Sequence, residues 1–350
     1  MSFPRRRESG EFSKASNYIL DSRFHGNDKN SMKNFTSEFN TLNYIIKKSD
    51  EILLVAHTGP DGDTVGSVSA LKEYLQSLGK TADIACFDPL PDYFKSLIPF
   101  EFKYPDRLDL KSYDAVIASD SVERGFDKIK PQLSENQATA LIDHHPDITI
   151  HGDVKIINSK SSSACEIIYD YLEFNKVKIT KNLATFLMIG LSSDTGNFQH
   201  SNTTVRVMEI ASNLIRSGAS LSKIVNASFA DKKISTLKLW GRAFEKAKIN
   251  PKNNMILTVI TQKDIAQCGA SIDDIAEVSS ILNTVPGANF SLVLSQRDGK
   301  TIKGSLRSEE YKGTNVSDIA HQFGGGGHKF ASGFEIKGKI VETGEGWRIV

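Results

Sequence analysis

The sequence predicts an α/β protein with two domains: an N-terminal parallel-sheet domain and a smaller C-terminal α/β domain, with the active site in the cleft between them. Three observations carry this expectation. Short apolar runs alternate with helical stretches, acids and histidines stand where those runs end, and the grammar changes after Asn250-Pro251. Buried strands alternating with helices argue a parallel sheet covered on both faces.

The first 30 residues carry six basic and four acidic side chains and show no apolar periodicity. Their RRRES…LDSRFHGND pattern resembles a translated repetitive DNA element. The acids argue against a transit peptide, and the apolar stretch of a secretory signal is missing. Residues 1–32 are therefore expected to be a disordered extension.

The first domain is expected over 33–230. Strand-like runs fall at 52–56, 84–87, 115–118, 140–142 and 154–157. A helix over 65–78 ends at Gly79, the residue type that closes helices. Ser161–Ser163 read as the cap of a helix at 164–173. Further helical patterns cover 203–217 and 233–248, and a helical linker is placed at 231–250. The second domain, 251–350, shows strands at 254–260, 289–296 and 301–306 and helical patterns at 272–282 and 315–322.

Composition narrows the function. Lys and Arg total 43 against 42 Asp and Glu, a net charge of +1. A protein that grips long duplex DNA through its phosphates would be more basic. No apolar run approaches the ~20 residues of a membrane span. The three cysteines, Cys86, Cys165 and Cys268, lack CxxC spacing, which argues against a disulfide framework or a thiolate zinc site. A cytoplasmic location is expected.

The chemistry sits at the ends of elements. Run 52–56 leads into His57 and on to Asp61-Gly-Asp63, run 115–118 into Ser119-Asp120, and run 140–142 into Asp143-His144-His145. The apolar helix at 183–191 leads into Asp194. Open parallel sheets bind ligands beyond the carboxyl ends of their strands. Five carboxylates converging without Lys or Arg partners would repel one another unless cations lay between them. Carboxylate-plus-imidazole sets favour Mn²⁺ or a similar divalent ion. His57, Asp61, Asp63, Asp120, His144 and Asp194 exceed the needs of one ion. Two ions ~3.5–4 Å apart, sharing a carboxylate, would use them all in displacement at phosphorus. Taken singly, Asp-Gly-Asp reads as a turn and Asp120 as a cap; the joint pattern points to metal.

HTGPDGDTVGS, the Asp120 strand end, the DHH triplet and SDTGNF resemble, in order, the four motifs of the DHH phosphoesterase superfamily. GSLRS at 304–308 and FGGGGHKFASG at 323–333 look like the DHH-associated domain of one branch. A compact chain of this kind is similar to the bacterial oligoribonuclease (nanoRNase) and 3′-phosphoadenosine 5′-phosphate (pAp) phosphatase group. The resemblance implies that His57 and Asp61 bind one ion, that Asp63, His144 and Asp194 bind the other, and that Asp120 bridges both. Mn²⁺ is the expected ion, with Mg²⁺ and Co²⁺ as alternatives. His145 would face the scissile phosphate, with Asp143 orienting the neighbouring ring. Gly59 stands where the family's first motif often has Asn, a position that is not a ligand.

In the second domain, Gly324, Gly325, Gly326 and Gly327 offer a backbone nest for an anion, with a flexible connector as the plainer reading. His328 follows, and Arg307 can clamp a terminal phosphate. The resemblance moves these residues to substrate binding. Residues 251–350 hold eleven basic and eleven acidic side chains, so no long track for single strands is indicated.

The expected activity is hydrolysis of phosphoester bonds in oligoribonucleotides of about two to five residues, or of pAp, by water activated between two metals. The size range is what the resemblance implies. The alternatives are a cyclic- or linear-dinucleotide phosphodiesterase, a single-strand exonuclease, a pyro- or polyphosphatase, and a nucleotide-binding regulator. A homodimer is left open.

Overall fold

The computed structural model describes residues 35–146, 148–230, 232–275, 277–343 and 346–350, so the expectation for residues 1–32 lies outside it. Strands β1 (Glu51–Val55), β2 (Thr81–Ala85), β3 (Phe102–Lys103), β4 (Ala115–Ser119), β5 (Ala138–Asp143) and β6 (Val154–Ile157) form one sheet in the order β3-β2-β1-β4-β5-β6. Every pairing in it is parallel. The strands read as continuous apolar runs because both faces are covered. Ile52, Leu54, Ile117 and Ile142 pack into one core, whereas Leu53, Val55, Val116, Ala118 and Leu141 pack with Val122, Phe126 and Ile129 in the other.

Helices α1 (Thr36–Lys48), α2 (Gly62–Ser77), α3 (Ala164–Phe174), α4 (Lys181–Asp194), α5 (Val205–Arg216) and α6 (Leu221–Ala230) complete this unit. Gly79 closes α2, donating its N–H to Gln76. Ser163 opens α3 by accepting from the Glu166 N–H. Cys86 and Cys165 are buried. The strand order reverses direction at β1 and β4, and at such a switch point two successive connections diverge and leave a crevice. His57 follows β1 and Asp120 follows β4, so both candidate ligands stand at that crevice.

Helix α7 (Ile234–Glu245) leads into the second unit. Its Leu239, Trp240 and Ala243 pack on Ile256, Ile260, Val278 and Val293. Strands β7 (Lys248–Asn250), β8 (Met255–Ile260), β9 (Phe290–Gln296), β10 (Thr301–Arg307), β11 (Gly326–His328) and β12 (Ala331–Lys337) make a mixed sheet in the order β11-β12-β10-β9-β8-β7. Only β8 and β9 pair in parallel among them. Helices α8 (Gln262–Cys268), α9 (Val278–Asn283) and α10 (Val316–His321) accompany it, and β13 (Ile340–Thr343) pairs with β14 (Gly346–Ile349). Among the described residues no helix is long and apolar enough to cross a membrane.

Two readings of the second unit change. The helix expected over 272–282 is a 3₁₀ turn, Asp273–Ile275, followed by α9, because the Asp274 carboxylate is spent on Ser271 and Thr236. Gly324–Gly327 is not a loose connector. The Gly324 and Gly325 N–H groups close α10 on the His321 and Ala320 carbonyls, and Gly326 begins β11.

Candidate active site

Five side chains reach the crevice from segments beyond strands, and a helix end delivers the sixth. Asp61 caps α2: its Oδ1 accepts from the N–H groups of Asp63 and Thr64. Its Oδ2 lies 3.4 Å from His57 Nε2. Asp-Gly-Asp thus makes its turn with one oxygen of Asp61 and leaves the other beside His57. Gly59 before it has φ +66°, a left-handed conformation open to Gly and Asn, which accounts for either residue at that position. Thr64 ties the two strand ends together, accepting from His57 N and donating to Ser119 O, both at 3.3 Å.

Asp63 is fully buried at the N-terminus of α3, where its carboxylate accepts from the N–H groups of Ala164 (2.6 Å) and Cys165 (2.9 Å). Helices α2 and α4 approach closely here. A Cβ at Gly190 would stand 2.2 Å from Cys165 Sγ and 2.6 Å from Asp63 Oδ1. Asp194, the last residue of α4, lies 3.1 Å from His144 Nε2. Its backbone carbonyl accepts from Asn202 Nδ2 at 3.1 Å.

Asp120 joins the two halves. Its Oδ2 is 3.6 Å from His57 Nε2, and its Oδ1 is 3.7 Å from His144 Nε2 and 3.5 Å from His145 Nδ1. Two overlapping sets result, His57–Asp61–Asp120 and Asp63–Asp120–His144, with Asp194 against the latter. His57 Nδ1 bonds the Thr58 carbonyl at 2.9 Å, which turns Nε2 toward the carboxylates. His57 Nε2, His144 Nε2 and Asp120 Oδ1 are buried with no hydrogen-bond partner. Orphaned acceptors this deep need a ligand, and hard carboxylate oxygens with imidazoles suit divalent cations.

The electrostatics agree. Burial, then the neighbouring Asp194 charge, pushes Asp63 up to about 7. Burial, then the Asp63 and Asp61 charges, raises Asp120 well above the usual carboxylate range. Burial, then Asp61, does the same to Asp194. Either protons or cations must neutralise this cluster.

Asp143 stands outside these two sets, in a further cluster with Asp120 and His145. Its Oδ1 accepts from His145 Nδ1 at 2.7 Å, so it orients that ring. His145 Nε2 is left for the cleft, where the His328 ring of the second unit stacks on it with centroids 4.3 Å apart. His328 also lies 5.2 Å from the His144 ring. Burial, then His145 and His144, lowers His328 to about 3. Arg307, half-buried, donates only to the Leu306 carbonyl and has no carboxylate partner among the described residues. Of the four glycines, Gly326 and Gly327 pair with Gly333 and Ser332 across β11 and β12. With Gly324 and Gly325 closing α10, few N–H groups remain for a nest. Thr64 and Asn202 were not read as site residues from sequence: Thr64 sits inside the PDGDT motif, but nothing marks Asn202.

A parallel α/β sheet whose switch point carries carboxylate–imidazole sets around one shared aspartate, with a histidine of a second domain stacked beside them, defines a phosphoesterase-like class of protein. This chain belongs to the DHH family: residues 51–191 match its N-terminal domain and residues 254–343 match the DHHA1 domain. A probable bifunctional oligoribonuclease and PAP phosphatase of Streptococcus mutans is 31% identical over 84% of this chain and 92% of its own length. The bifunctional oligoribonuclease and PAP phosphatase of Bacillus subtilis is 29% identical over 82% and 90%. An exopolyphosphatase-related protein of Bacteroides fragilis shares the fold, with a TM-score of 0.78 at 23% identity over 86% of this chain and 91% of its own.

Proposed function

We propose that this chain is a cytoplasmic hydrolase of phosphoester bonds in short oligoribonucleotides and in pAp, working with two divalent cations, Mn²⁺ first among them. The carrying observation is geometric: two ligand sets share Asp120, and His145 beside them meets His328 from the second domain. The names of the curated relatives support the substrate class.

His57 and Asp61 would hold one ion, Asp63, His144 and Asp194 the other, and Asp120 both. When bound, the ions supply Lewis-acid activation of water and charge neutralisation at phosphorus. Asp143 accepts from His145 Nδ1 and so leaves Nε2 to exchange a proton with the reacting phosphate or leaving oxygen. Arg307, without a carboxylate partner, would pair with a phosphate one position away, and His328 would offer it a ring nitrogen. Closure of the second domain over the metals would exclude water.

One panel tests the reading: pAp, dinucleotides through pentanucleotides, a 20-mer, cyclic di-AMP and pyrophosphate, each with Mn²⁺. The expected result is the highest kcat/KM for pAp or for two to about five residues, because a second domain with balanced charge adds no grip on longer strands. Degradation of the 20-mer at the dinucleotide rate would favour a single-strand exonuclease. Preference for cyclic di-AMP or pyrophosphate would favour those activities instead, and no turnover at all would favour a nucleotide-binding regulator.

A further inference from the structure

Two cations beside the ligand sets have no assigned task. Arg124 and Lys128 are exposed and four residues apart, on the π-helical turn Val122–Phe126 and the helical turn Asp127–Ile129. Arg124 Nη2 donates to the Thr58 carbonyl and Lys128 Nζ to Thr58 Oγ1, both at 3.3 Å. The Thr58 N–H donates back to the Arg124 carbonyl at 3.0 Å. That same Thr58 carbonyl bonds His57 Nδ1, so the pair is anchored one residue from a candidate ligand. Lys128 is also laid over the Phe87 ring, 5.1 Å from its centroid. Neither cation has an ion-pair partner among the described residues. The Arg124 charge does reach Asp61, and an exposed pair of cations tied to the Thr58 backbone beside the ligand sets is placed to take a further anion.

Their place in the row decides which anion. Asp120 turns Oδ2 to His57 and Oδ1 to His144 and His145. By contact, Arg124 and Lys128 adjoin Thr58 beside His57, His57 faces one oxygen of Asp120, His144 and His145 face the other, and His145 meets His328, on which the Arg307 charge acts. Cations stand at both ends, and the scissile phosphate belongs in the middle.

We propose that Arg124 and Lys128 form a second phosphate subsite, which takes the phosphodiester on the far side of the scissile linkage from Arg307. The proposal rests on the functional reading above. Its consequence is selectivity. pAp has one phosphate besides the one cut, and Arg307 with His328 accounts for it. The first linkage of a 5′-phosphorylated trinucleotide has a phosphate on each side, so that substrate engages both ends.

The test is steady-state hydrolysis of 5′-phosphorylated trinucleotide and of pAp, each with Mn²⁺, by the wild type, Arg124→Gln, Lys128→Ala and the double variant. In the double variant the ratio of kcat/KM for trinucleotide to that for pAp is expected to fall about tenfold or more, through KM. The salt dependence of KM for the trinucleotide should flatten with it. Equal losses on the two substrates would mean that the pair acts through Thr58 and His57, and would overturn the subsite. An unchanged ratio would overturn it as well, while turnover of pAp by the wild type would leave the functional reading standing. A wild type that hydrolyses neither substrate would sink the functional reading and the subsite together.

Discussion

The His145 and His328 rings stack across the two units, with centroids 4.3 Å apart and planes 30° apart. Each ring is tied to a different task. His145 is held by Asp143 beside the metal sets, and His328 is carried by β11 of the second sheet. His145→Ala should therefore lower kcat, whereas Arg307→Ala and His328→Ala should mainly raise KM for pAp and dinucleotides. Equal kcat losses with unchanged KM at all three positions would contradict that division.

Asp120 is the one carboxylate shared by both ligand sets. Asp120→Ala should cost several orders of magnitude in rate with Mn²⁺ and reduce the number of ions bound at equilibrium. Calorimetric Mn²⁺ titration reads the second effect independently of turnover. Near-normal turnover in the variant would mean the two-ion centre lies elsewhere.

Removing the metal should make stability depend on pH in an unusual direction. Asp63 sits at about 7 in the fold against an ordinary 3.8, and Asp120 and Asp194 are also raised. The folded state then keeps protons that the unfolded chain has released, so stability is full below ~pH 4 and is lost as pH rises through about 7. Asp61 and Asp143, both held low through their histidine partners, act only below that window, and His328, lowered to about 3, opposes the slope up to about 6.5 as one group against three raised carboxyls. The Tm of chelator-treated protein should fall between about pH 5 and about pH 8, and Mn²⁺ should flatten the slope. A rising Tm over that interval without metal would refute the account.

Gly190→Ala should be costly at a distance from substrate. Its Cβ would overlap Cys165 Sγ and crowd Asp63 Oδ1. Overpacking of this kind costs about 1–3 kcal/mol, and displacement of Asp63 should also weaken Mn²⁺ binding. Urea unfolding and metal titration read the two effects separately. Unchanged stability would show that α4 can move away from α2 and α3 freely.

Deleting residues 1–30 should leave activity unchanged and Tm within ~2–4 °C, the shift that corresponds to about 1 kcal/mol in a domain of 150–250 residues. The argument is one of composition alone. A larger drop would mean that the segment packs on the rest of the chain.

By itself the sequence determined the alternation of strand and helix, and with it which acids and histidines would stand beyond strand ends. The reason is local. Apolar runs flanked by turn residues commit to a buried parallel sheet, and a parallel sheet carries all its carboxyl ends to one edge. Five of the six candidate ligands were legible for that reason, whereas Asp194 and the Ser163 cap were legible as helix ends. Tertiary structure alone decided which oxygen of Asp120 faces which histidine, and how Asp61 divides its oxygens between a helix cap and His57. It decided too that the glycines at 324–327 spend their N–H groups on α10 and lead into β11. Thr58 and Arg124 are 66 residues apart, and no pattern of period two or three-point-six joins them. They meet because β1 and β4 are neighbours in the sheet, and the turns that leave those strands have to pack against each other.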